Sequence, residues 1–400
     1  HLLDTDDASD RPLTEKLLER PALLARMAEL LRPGRSFISC FVVTELEREL
    51  SERLQIPLLG TDPALGFWGS KAGSRALFAR CGVPHPAGSP LVYNADDLAE
   101  AIAELWEAHP DLNRCVVKLN EGFSGEGNAP LDFGPLTLAD LSGQQRRRRL
   151  RQALEVLAMP APDWMALMAH MGALVEAWLD GGEALSSPSV QGTIHPPAPG
   201  CPPRVELLST HEQVLGGPSG QTYEGCRFPC DDAYRLELMR HGQAIGEALA
   251  AEGALERYAV DFIARRFGDR WDVQAIEVNL RQGGTTHPYL ALSAITAGQL
   301  DLETGLYRSP TGQPLHYEAT DTFCDAALRG LLPIDLIDIV AEAGLHFDPA
   351  RLRGSVFHLL GCLSEYGKLG MTCIGRSPTE AAQVFRSTQQ QLLQQAMGKR

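Results

Sequence analysis

The sequence predicts an α/β fold with a mixed α+β core, and three observations carry that expectation. The apolar run SFISCFVV (36–43), of strand length, precedes the helical stretch TELERELSERL and a second short strand, IPLLGTD; strand–helix–strand order implies a parallel layer. The runs AVDFIARR and WDVQAIEVNL flank the turn FGDRW and read as a strand pair folded back on itself. Helical segments, 232–252 among them, are interleaved with the strands. Four hundred residues exceed one compact core, so two or three units are expected.

From the N-terminus, residues 1–35 read as helices punctuated by Pro21, Pro33 and Gly34. After the parallel layer, SKAGSRALFARCGVPHPAG predicts a helix that stops at Gly82, ahead of Pro84 and Pro86. A second helix is expected over 98–108, then a buried strand, CVVKLN (115–120). The stretch 129–169 has no clear period; its run Arg146–Arg149 must spread around a helix and reads first as a solvated face. ALVEAWL, SVQGTIH and VELLSTHEQVL are strand-like, the last two separated by PPAPGCPP, where regular structure cannot persist. The tail from about 317 offers helices, the strand-like SVFHLLGCL, a glycine-rich turn and a long final helix. No internal repeat is present.

Bulk properties narrow the function. The chain is 44% hydrophobic and 22% charged, the balance of an ordinary globular protein. A net charge of -15 opposes a nucleic-acid partner, which needs a basic face, and gives no pull toward an anionic membrane. No apolar run nears the roughly 18–20 residues of a membrane span. Nine cysteines are scattered; Cys226 and Cys230 lack the second pair a zinc site needs, so free thiols in a reducing cytoplasm are expected. The opening His1, in place of Met, predicts a shortened N-terminus.

Chemistry concentrates in two places. Glu277 and Asn279 are two apart on one strand and so share a face, with Asp261 on the neighbouring strand and Arg281 extending the row. Two carboxylates and an amide oxygen form a hard-oxygen set of the kind magnesium prefers; polar alternation on a half-solvated sheet would give the same pattern. Lys118 closes an apolar strand and leads into EGFSGEGN, where glycines let backbone amides approach phosphate oxygens. No GK[ST] follows, so this is not a Walker A loop.

In that order, SKAGSRALFARCGVPHP, VVKLNEGFSGEGN, LVEAWLDGGE, VDFI and AIEVNLRQGGTTHP resemble the ATP-grasp superfamily over most of the chain. SPSVQ, STHEQVLGGPSGQTYEGCRFP and NLRQGGTTHP are similar to the pheganomycin-type peptide ligases. FHLLGCLSEYGKLGMTCIGRSPTEA resembles the C-terminal domain accompanying them, and the small end domain of ATP-grasp carboxylases. The resemblance implies an ATP-grasp fold: an N-terminal unit (1–70), a core (71–315, in parts 71–180 and 181–315) and a small C-terminal domain (316–400). It implies ATP and magnesium as cofactors. Lys71, Lys118, Ser124 and Gly125 would hold phosphates; Glu176, Ala177, Trp178 and Leu179 would line the adenine, and Glu183 would take the ribose. Asp261, Glu277 and Asn279 would hold magnesium, with Arg281 stabilising the transferring phosphoryl group. His211, Gln213, Ser187, Ser189, Gln191, Gly283, Gly284, Thr285, Thr286 and His287 would border the substrates; His287 reads as a general base or, more ordinarily, as a packed histidine before Pro288.

The activity implied is ATP-dependent joining of a carboxylic acid or amino acid to an amino-acid or peptide amine through an acyl phosphate, in specialised metabolism. Two alternatives stay open: a ligase acting on a carrier-protein thiol or in the manner of a carboxylase, and an ATP-binding sensor without turnover. A homodimer is the default assembly.

Overall fold

The computed structural model describes residues 1–122, 127–156, 163–198, 200–217, 220 and 222–398. The N-terminal unit packs helices α1 (Leu13–Leu18), α2 (Pro21–Leu30) and α3 (Glu45–Leu54) around Leu24, Leu50 and Leu54. Helix α3 opens on a capping box: the Thr44 side chain accepts from the helix backbone while Glu47 accepts from the Thr44 backbone. The parallel layer is present but minimal. Strand β1 spans only Ile38–Ser39 and pairs with β2 (Leu58–Leu59) in parallel. The run 36–43 does not form a full strand, because the carbonyls of Cys40 and Phe41 accept hydrogen bonds from Gln282 rather than from a neighbouring strand.

Helix α4 (Lys71–Cys81) follows the expected signals: Ser70 caps its start and Gly82, at φ +63°, ends it. Helix α5 (Ala95–Ala108), capped by Asn94, leads to a three-stranded antiparallel sheet in the order β4–β3–β5, with β3 at Arg114–Leu119, β4 at Asn128–Asp132 and β5 at Ala173–Ala177. Its apolar side packs on α5 and on the inserted helices α6 (Gly143–Val156) and α7 (Trp164–Met171). The arginine run lies on α6. Arg146 and Arg147 reach Glu107 and Glu100 of α5, while Arg148 and Arg149 are exposed, so the run is a solvated face, as its charge predicts.

The second sheet is larger, nine-stranded and antiparallel. In chain order its strands are β6 (Ala184–Ser186), β7 (Pro188–His195), β8 (Arg204–Gly216), β9 (Thr222–Phe228), β10 (Glu256–Phe267), β11 (Arg270–Asn279), β14 (His316–Cys324), β15 (Gly354–His358) and β16 (Lys368–Gly375). Their spatial order is β11–β10–β7–β8–β9–β14–β16–β15, with β6 added on β10. Helix α8 (Arg235–Ala251) covers one face, burying Val190, Val260 and Phe262. Helix α9 (Thr286–Thr296) packs Tyr289 and Leu292 against Phe228 and Tyr317 of the opposite face; the hairpin β12 (Gln299–Asp301) and β13 (Leu306–Arg308) follows it. The C-terminal segment adds α10 (Pro333–Glu342), α11 (Leu363–Tyr366) and α12 (Pro378–Gly398) around a further apolar cluster. The run SVFHLLGCL is strand only to His358; Leu359 adopts φ +57° and the chain turns helical.

Candidate active site

Sequence alternation alone would leave Glu277 on the buried face of β11, in step with Val273 and Ala275. A bulge prevents this. Asp261 pairs with Glu277, but the next residue of β10, Phe262, pairs with Ala275, so Ile276 is an extra residue. The bulge turns Glu277 and Asn279 to the face of Asp261, a use of bulges common beside active sites. Asp261 is then held by two amides: Gln213 donates to one carboxylate oxygen (2.8 Å) and Asn279 to the other (2.9 Å). Burial, and next the negative charge of Glu277, push the Asp261 carboxyl up to about 6 against the pull of Arg281 and the two amides. Two carboxylates that repel each other call for a cation. Among the described residues no group of three or more His, Cys, Asp or Glu gathers as a metal nest; two carboxylates with an amide form the oxygen set.

A cation of the chain already answers that field. Lys71, at the first position of α4, donates to Glu277 (2.7 Å) and to the carbonyl of Gly122 (2.8 Å). Its placement follows from local contacts. The Asn120 side chain accepts from the Ala72 amide and the Asn120 carbonyl from that of Lys71, joining the end of β3 to the start of α4. Gly73 makes that approach fit, since a Cβ there would stand 1.9 Å from the Phe67 carbonyl oxygen. The hydroxyl of Ser74 accepts from the Val278 amide, so the same helix is fastened to β11 (2.9 Å).

One turn further along α4, Arg75 donates to Glu176 (3.0 Å), and Lys118 donates to the other oxygen of the same carboxylate (2.6 Å). Lys118 is 6% and Glu176 2% exposed, so the trio is a buried network. Burial alone would raise the Glu176 carboxyl, but the charges and hydrogen bonds of Lys118 and Arg75 hold it below the usual range. After Ala177 the chain leaves β5 through Trp178 and Leu179; the Arg114 guanidinium lies over the Trp178 ring at 5.4 Å. The link to the large sheet is tied down where Asp180 accepts from Arg265 (2.7 Å) and the Glu183 amide donates to Arg266 (2.8 Å). The Glu183 side chain is exposed beside Arg266 (3.3 Å). Ser124 and Gly125 lie outside the described residues.

The loop after β11 is pinned from beneath. Gln191 donates to Ser209 and to the Thr285 carbonyl, and accepts from Thr286, whose hydroxyl also accepts from the Gly283 amide. Ser189 is buried between Asp261 and His211 in the strand register. Ser187 gives its carbonyl to the Gln213 amide. His211 has no exposed surface; its ring bonds Tyr317 (2.6 Å), and burial lowers its pKa to about 3. His287 is exposed at the start of α9 and packs against His358 with the rings tilted by 48°, ring centres 4.2 Å apart. Arg281 donates to the Gln282 carbonyl (3.0 Å) and lies over Phe41 of the N-terminal unit. Sequence reasoning did not single out Arg75, Tyr223 or Asp321. Only Arg75 left a signal, its i+4 spacing from Lys71 on one helix face. Cavities of about 430 and 870 Å³ lie elsewhere, neither lined by Lys71, Lys118, Asp261 or Glu277.

A small sheet bearing buried Lys118, beside a helix whose Lys71 reaches the carboxylate face of a larger antiparallel sheet, is the layout of a nucleotide-dependent ligase of the ATP-grasp class. Comparison with known proteins agrees. A family model described as "IQCH-like, ATP-grasp" matches residues 64–180, and one described as "PGM1 C-terminal domain" matches 335–388. The L-propargylglycine–L-glutamate ligase of Streptantibioticus cattleyicolor is 30% identical over 399 residues, 98% of this chain and 78% of that protein. The IQ motif-containing protein H of Danio rerio is 24% identical over 93% of this chain and 38% of its own length. Among solved structures, the biotin carboxylase of Campylobacter jejuni, in its beta-gamma-ATP complex, superimposes with a TM-score of 0.58 at 13% identity, covering 92% of this chain and 77% of that one. The chain belongs to the ATP-grasp superfamily, among its ATP-dependent ligases that form amide bonds.

Proposed function

We propose that the chain activates the carboxylate of an amino acid with ATP and passes the acyl group to the amine of a second amino acid or a peptide. The observation that carries this reading is the ion pair of buried Lys71 with Glu277, which brings the start of α4 to the oxygen set of Asp261, Glu277 and Asn279. The printed name of the Streptantibioticus relative, which joins two amino acids, supports the substrate class. We assign residues 1–70, 71–315 and 316–400 to the N-terminal unit, the ATP-grasp core and the C-terminal domain.

In this reading Lys71 and Lys118 take the nucleotide phosphates, Lys71 exchanging Glu277 for a phosphate oxygen and Lys118 keeping Glu176 while a further ammonium hydrogen turns to the phosphate. Backbone groups of 176–179 border the adenine; the Glu176 side chain is committed to Lys118 and Arg75 and so acts by positioning. Glu183, exposed beside Arg266, takes the ribose hydroxyls. Asp261, Glu277 and the Asn279 amide oxygen fit a hard divalent ion, and magnesium there supplies positive charge against the phosphates. Arg281 stabilises charge on the transferring group.

The reaction balances without a protein nucleophile. A carboxylate oxygen attacks the γ-phosphorus, ADP leaves, and the acyl phosphate forms. The amine then attacks the carbonyl carbon, the carbon–oxygen bond to phosphate breaks, and the amine proton is released with phosphate. The pinned loop 283–287 borders that carbonyl, with Thr285 and Thr286 presenting backbone more than side chain, because both side chains are buried. Gln213 acts on Asp261, and His211 supports the floor through Tyr317. His287, packed on His358, serves as structure rather than as a base.

All nine cysteines are free and, among the described residues, no helix is long and apolar enough to cross a membrane; we place the enzyme in the cytoplasm, as a homodimer. The test is ADP release with magnesium and ATP across amino acids and short peptides, with mass detection of products. A product lighter by one water than its two reactants establishes amide formation. ATP binding with no ADP release from any mixture would instead favour a sensor.

A further inference from the structure

Asp321 is a carboxylate that the roles above leave unused. It lies on β14 between Thr320 and Thr322, whose hydroxyls both donate to the Glu224 carbonyl, at 2.6 and 3.1 Å. Those two bonds fix the strand where its register shifts between Thr320 and Phe323, and they turn Asp321 to the opposite face. That is the face of Tyr317 and Ala319, packed with Cys226 and Phe228. Register across the sheet identifies it: Ala319 pairs with Cys226, Cys226 pairs with Gln213, and Gln213 donates to Asp261. Asp321, contributed by the C-terminal segment, therefore shares a sheet face with the oxygen set.

Tyr223 senses both carboxylates. Its hydroxyl is buried and feels the negative charge of both Asp321 and Asp261, and its ring fills the space beside Gly284, where a Cβ would stand 2.3 Å from the ring. Among the described residues, one oxygen of Asp321 is buried with no hydrogen-bond partner. Burial raises the carboxyl more than its own backbone amide and the charge of Lys368 lower it. A buried acceptor left without a donor is costly and rare, which asks for a ligand that supplies the donor.

We propose that Asp321 is a specificity-determining anchor for the α-ammonium of the amino acid whose carboxylate is activated. The inference rests on the amino-acid reading above. An ammonium brings the donors and the charge that the buried oxygen lacks. It belongs to the activated amino acid and not to the acceptor, because the acceptor nitrogen must lose its proton to attack, whereas the donor stays an ammonium throughout. The anchor also gives the C-terminal segment a part in choosing the substrate.

The test uses the standard L-amino acids and L-propargylglycine, each compared with its des-amino acid, and reads ADP release with MgATP and L-glutamate present throughout as acceptor amine, together with calorimetric binding. The wild type should prefer at least one amino acid over its des-amino partner by on the order of 10- to 100-fold in KM or Kd. Asp321→Asn should raise KM for that amino acid and bring the ratio to within about threefold, and Asp321→Glu should recover part of it. The melting temperature controls for folding. An Asp321→Asn enzyme that keeps the full preference overturns the assignment, as does a wild type that shows no preference in turnover or binding. Turnover without preference would sink this anchor and leave the ligase standing; absence of turnover with every pair would sink the ligase, while the binding ratio still decides Asp321.

Discussion

Glu176→Gln tests the buried network that orients Lys118. The carboxylate makes two charge-assisted bonds, 2.6 Å to Lys118 and 3.0 Å to Arg75, and none of the three side chains has appreciable water to fall back on. Glutamine keeps the shape and one acceptor oxygen, but its amide group must then face one of the two cations, donor against donor. Breaking a buried ion pair from one side costs about 3–5 kcal/mol, and the retained hydrogen bond favours the lower end, about 3. That lowers the folding equilibrium constant by at least about a hundredfold. The sign of the pH dependence follows from the depressed Glu176 carboxyl. Its contribution is present above the ordinary glutamate pKa of about 4.3 and is lost as pH falls toward the lower folded value. Urea unfolding followed by circular dichroism should show the variant destabilised at about pH 7.5, with the gap narrowing by about pH 4. ATP affinity should fall about tenfold, because Lys118 loses its orienting partner. A midpoint shift worth less than about 0.5 kcal/mol, or a gap unchanged on acidification, would refute the argument.

Glu277→Gln and Asp261→Asn should each cut ADP release by at least about a hundredfold while the protein stays folded, and excess chelator should do the same to the wild type; turnover that persists removes both from the metal set. Tyr317→Phe should cost about 1–3 kcal/mol in a melting experiment, since the His211 ring nitrogen would lose the hydroxyl it bonds in a sealed core. His211, with its pKa lowered to about 3, resists protonation in the fold but not when unfolded, so stability should decline from about pH 6.5 downward, and His211→Gln should flatten that slope. Reversing the charge of exposed Arg148 and Arg149 should leave ADP release within about twofold; a larger loss would show that α6 touches substrate or nucleotide.

Local features were legible in the sequence: the Ser70 and Gly82 boundaries of α4, the strand pair about FGDRW, the sharing of a face by Glu277 and Asn279, and the solvated arginine run. Each is set by spacing, capping or charge within a few residues of itself. The phosphate, magnesium and substrate roles proposed for particular residues came from resemblance to a family, not from local spacing. Which face Glu277 and Asn279 occupy depended on the extra residue at Ile276, and alternation alone gives the opposite answer for Glu277 relative to Ala275. The length of β1 depended on Gln282, whose hydrogen bonds take the carbonyls that a longer strand would have used. Glu176 with Arg75 and Lys118, Gln213 with Asp261, and His211 with Tyr317 join residues 48 to 106 positions apart. The sequence by itself determined the elements and the inventory of chemistry, because those follow from local stereochemistry and periodicity. Only the tertiary structure decided which of these side chains are satisfied by one another and which, like Asp321, stand buried with a bond still to make, because partnership and burial are properties of the packed chain.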